Sequence, residues 1–385
     1  MTQLTVIDMI ERLIAAPSVS SVMPEIDMGN EKVTHEIAGW CEDAGFAVEI
    51  MPIDNKPGHF NLIATLGRGS GGLVLAGHTD TVPFNEALWD SNPFVATQRN
   101  GRLHGLGTTD MKAFIALALE AARHFDPREF QRPLILLATA DEESGMAGAQ
   151  ALLDAHRPKA DFAIIGEPTN LKPVRMHKGG LSDGLRLVGR SGHSSDPSLG
   201  NNAMEGMYKV IGELLRFRDE LKTQYNNPLF AVPHPTMNLG HIHGGDNPNR
   251  ICGSCELTFD VRVLPGLELK ELRETLHHRL ANVVSDTGLQ LEFTMPYNGL
   301  EPMETPADSP IVRFAERLTG AEAEAVSFGT EAPYFAEMGM DVVVLGPGDI
   351  STAHQPNEFL HLDRIEPTVS LLRNAVEQFC VRPNA

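Results

Sequence analysis

The sequence predicts an α/β protein of two domains: a layered domain with a mixed sheet, built from both ends of the chain, and a smaller α+β domain inserted in its middle. Three observations predict it. The chain has 385 residues, more than one ordinary core organises. Three continuous apolar runs, Leu134–Thr139, Phe162–Ile165 and Val342–Leu345, read as strands buried on both faces, and each ends in a polar cluster. The stretch between the second and third runs reads strand-helix-strand-strand-helix-strand, the order of the ferredoxin-like split βαβ.

Met1–Ala16 spaces Leu4, Ile7, Ile10, Leu13 and Ile14 as one face of an amphipathic helix. Asn30–Ala44 is a second helix, stopped by Gly45. Phe46–Ile50, Asn61–Leu66 and Leu73–Gly77 are strands. The glycines from Gly67 to Gly72 read as a hairpin loop, since neither Lys-Ser/Thr nor a helix follows to make a phosphate cradle. Phe94–Gln98 and Leu103–Gly105 flank Asn100-Gly101, which supplies the positive φ of a type I′ hairpin. A long helix follows from Met111 to His124, with further helices at Ala147–Ala155, Pro310–Leu318 and Glu366–Phe379. In the middle, Asp183–Val188, Thr236–Ile242, Glu256–Val263 and Leu289–Thr294 are strands, and Asn201–Leu221 and Leu267–Val284 are helices. The inserted domain is therefore placed at 179–292, and the main domain at 1–178 plus 293–385.

Lys and Arg total 31 against 51 Asp and Glu, a formal charge of −20, so the surface repels phosphate backbones and nucleic acid is excluded as a partner. No secretory signal is read in Met1–Ala16, and no apolar run is long enough to span a membrane, which makes the cytoplasm the default. Four cysteines make no disulfide framework. Cys252 and Cys255 form a lone CxxC without the second pair that a zinc knuckle needs. They are expected on opposite faces at the start of a strand.

The chemistry-bearing residues lie just past the predicted strands, where open α/β sheets hold their ligands. His78, Asp110, Glu143, Glu167 and His354 are two imidazoles and three carboxylates without thiolate, a set suited to two zinc ions, with cobalt or manganese as substitutes. Two dications repel, so a bridging carboxylate is needed, and Asp110 is placed for it. Sequence leaves the pairing open; one assignment puts His78 and Glu167 on one metal, and Glu143 and His354 on the other. Asp80, two residues beyond His78, is the carboxylate expected to receive the imidazole's other N–H. Glu142 and Glu143 are neighbours and point apart if extended, so Glu143 is assigned as ligand and Glu142 as general base. Any one of these residues alone is ordinary surface; their conjunction carries the reading.

The segments Gly77-His78-Thr79-Asp80, Gly105-x-Gly107-x-x-Asp110-Met111-Lys112, Asp141-Glu142-Glu143, Gly166-Glu167-Pro168-Thr169 and His354-Gln355-Pro356-x-Glu358 resemble those of the M20 family of dinuclear zinc metallopeptidases and amidohydrolases. The resemblance runs the length of the chain. It implies a catalytic α/β domain, a ferredoxin-like lid that makes a homodimer, a cis peptide at Asp110–Met111, and a lid histidine, here His193, that stabilises the oxyanion in the partner's site. Ser191–Pro197, Asn238–Asp246, Asn249–Cys252 and Thr330–Pro333 resemble the members that deacetylate N-acetyl-L-ornithine in arginine biosynthesis. By matched position, Lys178, Asn249, Arg250, Arg262 and Thr330 are expected at the substrate; an ornithine ammonium would want a carboxylate, for which Glu331 is a candidate. Two departures stand out: Ala113 where the family often has Gly, and Gly329 where the deacetylases often have Cys.

The implied reaction is hydrolysis of an N-acyl amide, with Glu142 taking a proton from the attacking water and returning it to the departing amine. Rivals are desuccinylation of succinyl-diaminopimelate, a broader N-acyl-amino-acid amidohydrolase or dipeptidase, a dinuclear phosphoesterase, and a catalytically silent metal-binding module. No Arg beside the ligand motifs speaks against the phosphoesterase. The presence of Glu142 speaks against the silent module, which needs no base.

Overall fold

The computed structural model describes residues 4–383. The chain divides into two compact units. One comprises Met1–Arg175, Thr305–Glu324 and Thr330–Ala385; the other comprises Met176–Glu304 and Ala325–Gly329. The second unit thus reaches beyond the predicted 179–292. Its last strand, Gln290–Leu300, does not stop near 292 but stays paired with the first, Leu300 opposite Gly180.

In the first unit, the helix Val6–Ile14 starts at a reciprocal cap: Thr5 Oγ1 accepts from Asp8 N, and the Asp8 carboxylate accepts from Thr5 N. It buries Met9, Ile10, Leu13 and Ile14. The sheet runs in the spatial order Ala47–Pro52, Phe60–Leu66, Leu134–Thr139, Leu73–His78, Phe162–Pro168, Asp341–Gly346, with Val174 of the strand Val174–His177 antiparallel to Val344. The four strands from Leu134–Thr139 to Asp341–Gly346 are parallel, and the two before them are antiparallel. The mixed α/β expectation is borne out.

The glycine-rich segment after Leu66 is not a hairpin loop. The strand Leu134–Thr139 lies between the two strands that this segment joins. The connection therefore crosses over its entry, so close that a Cβ at Gly72 would lie 2.0 Å from Pro133 O. Local sequence shows two strands and a turn; it does not show that a third strand, sixty residues on, takes the place between them. The Asn100-Gly101 hairpin forms with positive φ at both residues, but its strands are only Thr97–Arg99 and Arg102–His104.

The parallel strands end together, which gathers His78, the turn after Thr139, and Glu167 at one edge. The helix Lys112–Ala122 packs on those strands and against the helices Val6–Ile14 and Ile365–Val376. It is buried on nearly every side, which explains a sequence of Ala, Leu, Ile and Phe without an amphipathic stripe. Gly166 has no room for a side chain: a Cβ there would lie 1.9 Å from Phe114 Cγ.

The second unit is a four-stranded antiparallel sheet in the order Thr236–Gly244, Ser254–Val263, Gly179–Val188, Gln290–Leu300. That is the split βαβ order read from the sequence. The helices Ala203–Gln224 and Leu269–Val284 share its core, to which Cys255, Leu257, Phe259, Val261 and Val263 contribute alternate positions of one strand. Cys252 lies before that strand, so alternation does not apply to it, and it joins Cys255 in the same core rather than facing away. All four cysteines are free and buried. Among the described residues, no helix is long and apolar enough to cross a membrane.

The contact of Gly166 with Phe114 yields the first prediction. Gly166→Ala overpacks the core at a cost of about 1–3 kcal/mol, so its urea midpoint falls below that of the wild type; an unchanged midpoint would mean that Phe114 has room to move.

Candidate metal centre

His78 closes its strand fully buried. Its Nδ1 faces the Asp80 carbonyl oxygen at 3.0 Å, and a carbonyl only accepts, so Nδ1 bears a proton and Nε2 is the nitrogen turned toward Asp110. The partner expected here was the Asp80 carboxylate, which lies farther off, 3.7 Å from Nδ1. The strand ends at His78, so alternation no longer governs Asp80. The carboxylate of Asp80 instead accepts from the backbone N–H of Glu142 (3.3 Å) and Glu143 (3.1 Å). It holds the turn that carries the acidic pair.

That turn is not extended either. Asp141 has φ +63°, and its backbone oxygen accepts from Gly145 N and Met146 N. Glu142 and Glu143 differ in direction because the chain turns. The fully buried Asp141 carboxylate accepts from Ser20 Oγ at 2.9 Å and from the Lys56 ammonium. Sequence reasoning missed this support; its one signal was a third acid directly before the pair.

Asp110 stands between the two histidines. Its Oδ1 lies 3.0 Å from His78 Nε2, and its Oδ2 lies 3.2 Å from His354 Nε2. His354 Nε2 also lies 3.1 Å from the Glu143 carboxylate, and His78 Nε2 lies 4.0 Å from Glu167. The five residues thus form two donor sets that share Asp110: His78, Asp110, Glu167 and Asp110, Glu143, His354. In each, the donor atoms lie within 4.8 Å of one another. Glu142 stands within the same reach of His78 and Glu143, beside both sets. The peptide Asp110–Met111 is cis.

The electrostatics are those of too many acids in one place. Burial, then the charge of Glu167, pushes Glu142 well above the usual carboxylate range. Burial and Asp110 do the same to Glu167 and, less strongly, to Glu143. Burial would raise Asp110 too, but its bonds to His354 and His78 outweigh this and hold it low. The bonds that His354 donates to Asp110 and Glu143 lift its pKa to about 10. Glu331, expected at a substrate ammonium, is fully buried: its Oε2 accepts from Thr139 Oγ1 at 2.8 Å, and burial raises its pKa to about 7. One oxygen of Glu167 is buried without a hydrogen-bond partner. An excess of anions, an orphaned oxygen and imidazole nitrogens aimed inward fit a pair of divalent cations, which would take the place of the imidazole protons.

The chain belongs to peptidase family M20/M25/M40. The family model, described as "Peptidase family M20/M25/M40", matches residues 74–378. The acetylornithine deacetylase of Proteus mirabilis (strain HI4320) is 47% identical over 381 residues, 99% of this chain and 98% of that protein. The acetylornithine deacetylase of Photorhabdus laumondii is 46% identical, covering 98% of each chain. Among solved structures, an M20 family metallo-carboxypeptidase from Sulfolobus solfataricus superposes with a TM-score of 0.76 at 19% identity, covering 98% of this chain and 99% of that one. A Bacillus subtilis structure described as a dinuclear metal binding peptidase from the M20 family gives 0.66 at 16%, covering 97% of each. These structures share the fold. Family membership makes the chain a metal-dependent hydrolase, as the motifs led us to expect.

The residues expected at the substrate fall at separate places in the fold. His193, Asn249 and Arg250 lie together in the second unit: Ser194 N donates to Asn249 O, and His193 bridges Arg250. Arg250 is engaged with Asp246 at 2.7 Å. Lys178 and Arg262 are at the other end of the strand Gly179–Val188, about 30 Å away at the usual rise per residue. There Arg262 Nε donates to Asp260, and Lys178 Nζ donates to His234 O, its pKa lowered by burial. Thr330, in the first unit, is buried and accepts from Ala332 N. Gly329 has a local cause: a Cβ there would lie 2.3 Å from Leu300 Cδ2, so the chain trades side-chain room for that leucine.

A divalent cation offered to this centre must displace protons. Metal-free, His354 keeps its proton up to about 10, and Glu143 and Glu167 hold theirs above the usual carboxylate range. Zinc affinity therefore falls as pH falls, and binding at pH 8 releases protons. Calorimetry in two buffers of different ionisation enthalpy checks this; equal apparent enthalpies would contradict it.

Proposed function

We propose that this chain hydrolyses N-acetyl-L-ornithine to L-ornithine and acetate, a step of arginine biosynthesis, in the cytoplasm. The observation that carries the reading is the end-to-end match, at 47% identity, to an acetylornithine deacetylase.

In this reading His78, Asp110 and Glu167 hold one zinc ion and Asp110, Glu143 and His354 the other. Bound there, the two cations supply Lewis acidity that polarises an amide carbonyl and eases deprotonation of water. Glu142, beside both donor sets, accepts the proton of the attacking water. Its raised pKa lets it keep that proton until it passes it to the departing amine nitrogen. Asp80 acts through the backbone, fixing the turn from which Glu142 works.

His193 is suited to meet the oxyanion. Its Nδ1 accepts from Ser195 N at 3.2 Å, so the neutral ring carries its proton on Nε2, free to donate. It is exposed. Asn249 and Arg250 sit beside it, far along the sheet from Lys178 and Arg262. A homodimer through the second unit supplies the missing end of the site from the partner. Two features favour that surface: the edge strand Thr236–Gly244 leaves one side unpaired in the sheet, and Met204, Tyr208 and Ile242 are exposed apolar residues in the same unit. Lys178, Arg262 and Thr330 are read as contacts to the α-carboxylate and its surroundings.

Zinc-loaded protein should prefer N-acetyl-ornithine over N-acetyl-citrulline, N-acetyl-methionine and succinyl-diaminopimelate, and lose turnover with a chelator. Comparable rates across the acetyl amino acids would make it a general aminoacylase; preference for the succinyl substrate would replace the acyl group. Glu142→Gln should keep both metals and lose about 10²–10⁴-fold in kcat, read from metal content beside steady-state rates. Wild-type turnover in that variant would remove Glu142 as the base.

A further inference from the structure

One buried carboxylate has no part in the centre so far. Glu358 is 1% exposed, four residues after His354. Its Oε1 accepts from Thr109 N at 2.7 Å and from Asp110 N and Gly107 N at 3.1 Å; its Oε2 also lies 3.1 Å from Gly107 N. All three amides belong to the turn that ends in Asp110. The surrounding backbone is joined as well. Gly105 N donates to Glu358 O, Thr109 Oγ1 donates to Phe359 O at 2.5 Å, and His104 pairs with Phe359.

We propose that Glu358 is the positioning residue of the metal centre, a role that rests on the metal reading above. Its carboxylate sets the backbone of 107–110 and so aims the one side chain that both donor sets share. Being on the segment that carries His354, it also fixes the distance between that histidine and Asp110. The chemistry requires a carboxylate. Three N–H groups converge on one side chain, and a carboxyl group presents two acceptor oxygens, both of which reach Gly107 N. A glutamine offers one neutral oxygen and turns an NH₂ group toward backbone N–H donors. An aspartate keeps the charge but is one methylene short. Gly107 has φ +87° and stands against the buried Lys112 side chain, so the turn has little freedom to shift toward a shorter partner.

The test compares wild type, Glu358→Gln and Glu358→Asp in the full-length protein. Amide hydrogen exchange over residues 105–111, measured metal-free, reads the backbone directly. Zinc affinity by competition with a chromophoric chelator, and kcat and KM on N-acetyl-ornithine, read the consequence. Expected for Glu358→Gln is faster exchange in that segment, zinc affinity lower by about 10–100-fold, kcat falling alongside, and KM changed less than twofold. Glu358→Asp recovers part of the protection and part of the affinity. A role in folding alone lowers the urea midpoint but leaves zinc affinity and kcat of the folded protein at wild-type values, and that result overturns the proposal. So does wild-type exchange in Glu358→Gln. If Glu358→Gln does not fold, the same readouts on Glu358→Asp decide. Wild-type protein that binds no zinc refutes the metal reading, and the exchange arm alone then decides whether Glu358 holds the turn.

Discussion

Asp110 sits with one carboxylate oxygen against each of two histidines, and Glu142, Glu143 and Glu167 crowd around them. Among buried side chains that much like charge is costly, and burial with mutual repulsion raises all three glutamates. The imidazoles offset part of it. The remainder is what a pair of cations would neutralise, so the same repulsion would favour their binding.

Holding such a cluster still falls to backbone contacts more than to ion pairs. Asp80 takes the amides of Glu142 and Glu143, Asp141 closes the turn beneath them, and Glu358 takes the amides that lead to Asp110. Each is a buried acid bonded to peptide N–H, and Asp141 is held by Ser20 and Lys56 as well. Such bonds fix the chain rather than a flexible side-chain tip, and they leave the ligands' own oxygens unused. The parallel strands do the coarse work by ending at one edge; these three carboxylates do the fine work.

The second unit shows a different constraint. Its sheet places His193, Asn249 and Arg250 at one end and Lys178 and Arg262 at the other, and a ten-residue strand cannot be folded to bring them together.

Much of this was legible in the sequence. Apolar runs such as Leu134–Thr139 mark strands buried on both faces, because period and polarity are local properties. The split βαβ order of the second unit followed from element order alone, and the ligand types from the residues that end each strand. Tertiary structure decided what depends on neighbours distant in the chain. The glycines after Leu66 looked like a hairpin because nothing local reveals a strand inserted from residue 134 onward. Asp80 looked like a histidine's partner because alternation was assumed past the strand's end, whereas its carboxylate is taken by amides about sixty residues away. Glu331 looked available to substrate and is buried against Thr139. Sequence by itself marked the histidines and acids that gather at the strand ends, since side-chain type and place at a strand end are local properties. Only the fold decided which of them meet, and which buried acids serve the backbone, since hydrogen bonds between distant segments are set by packing.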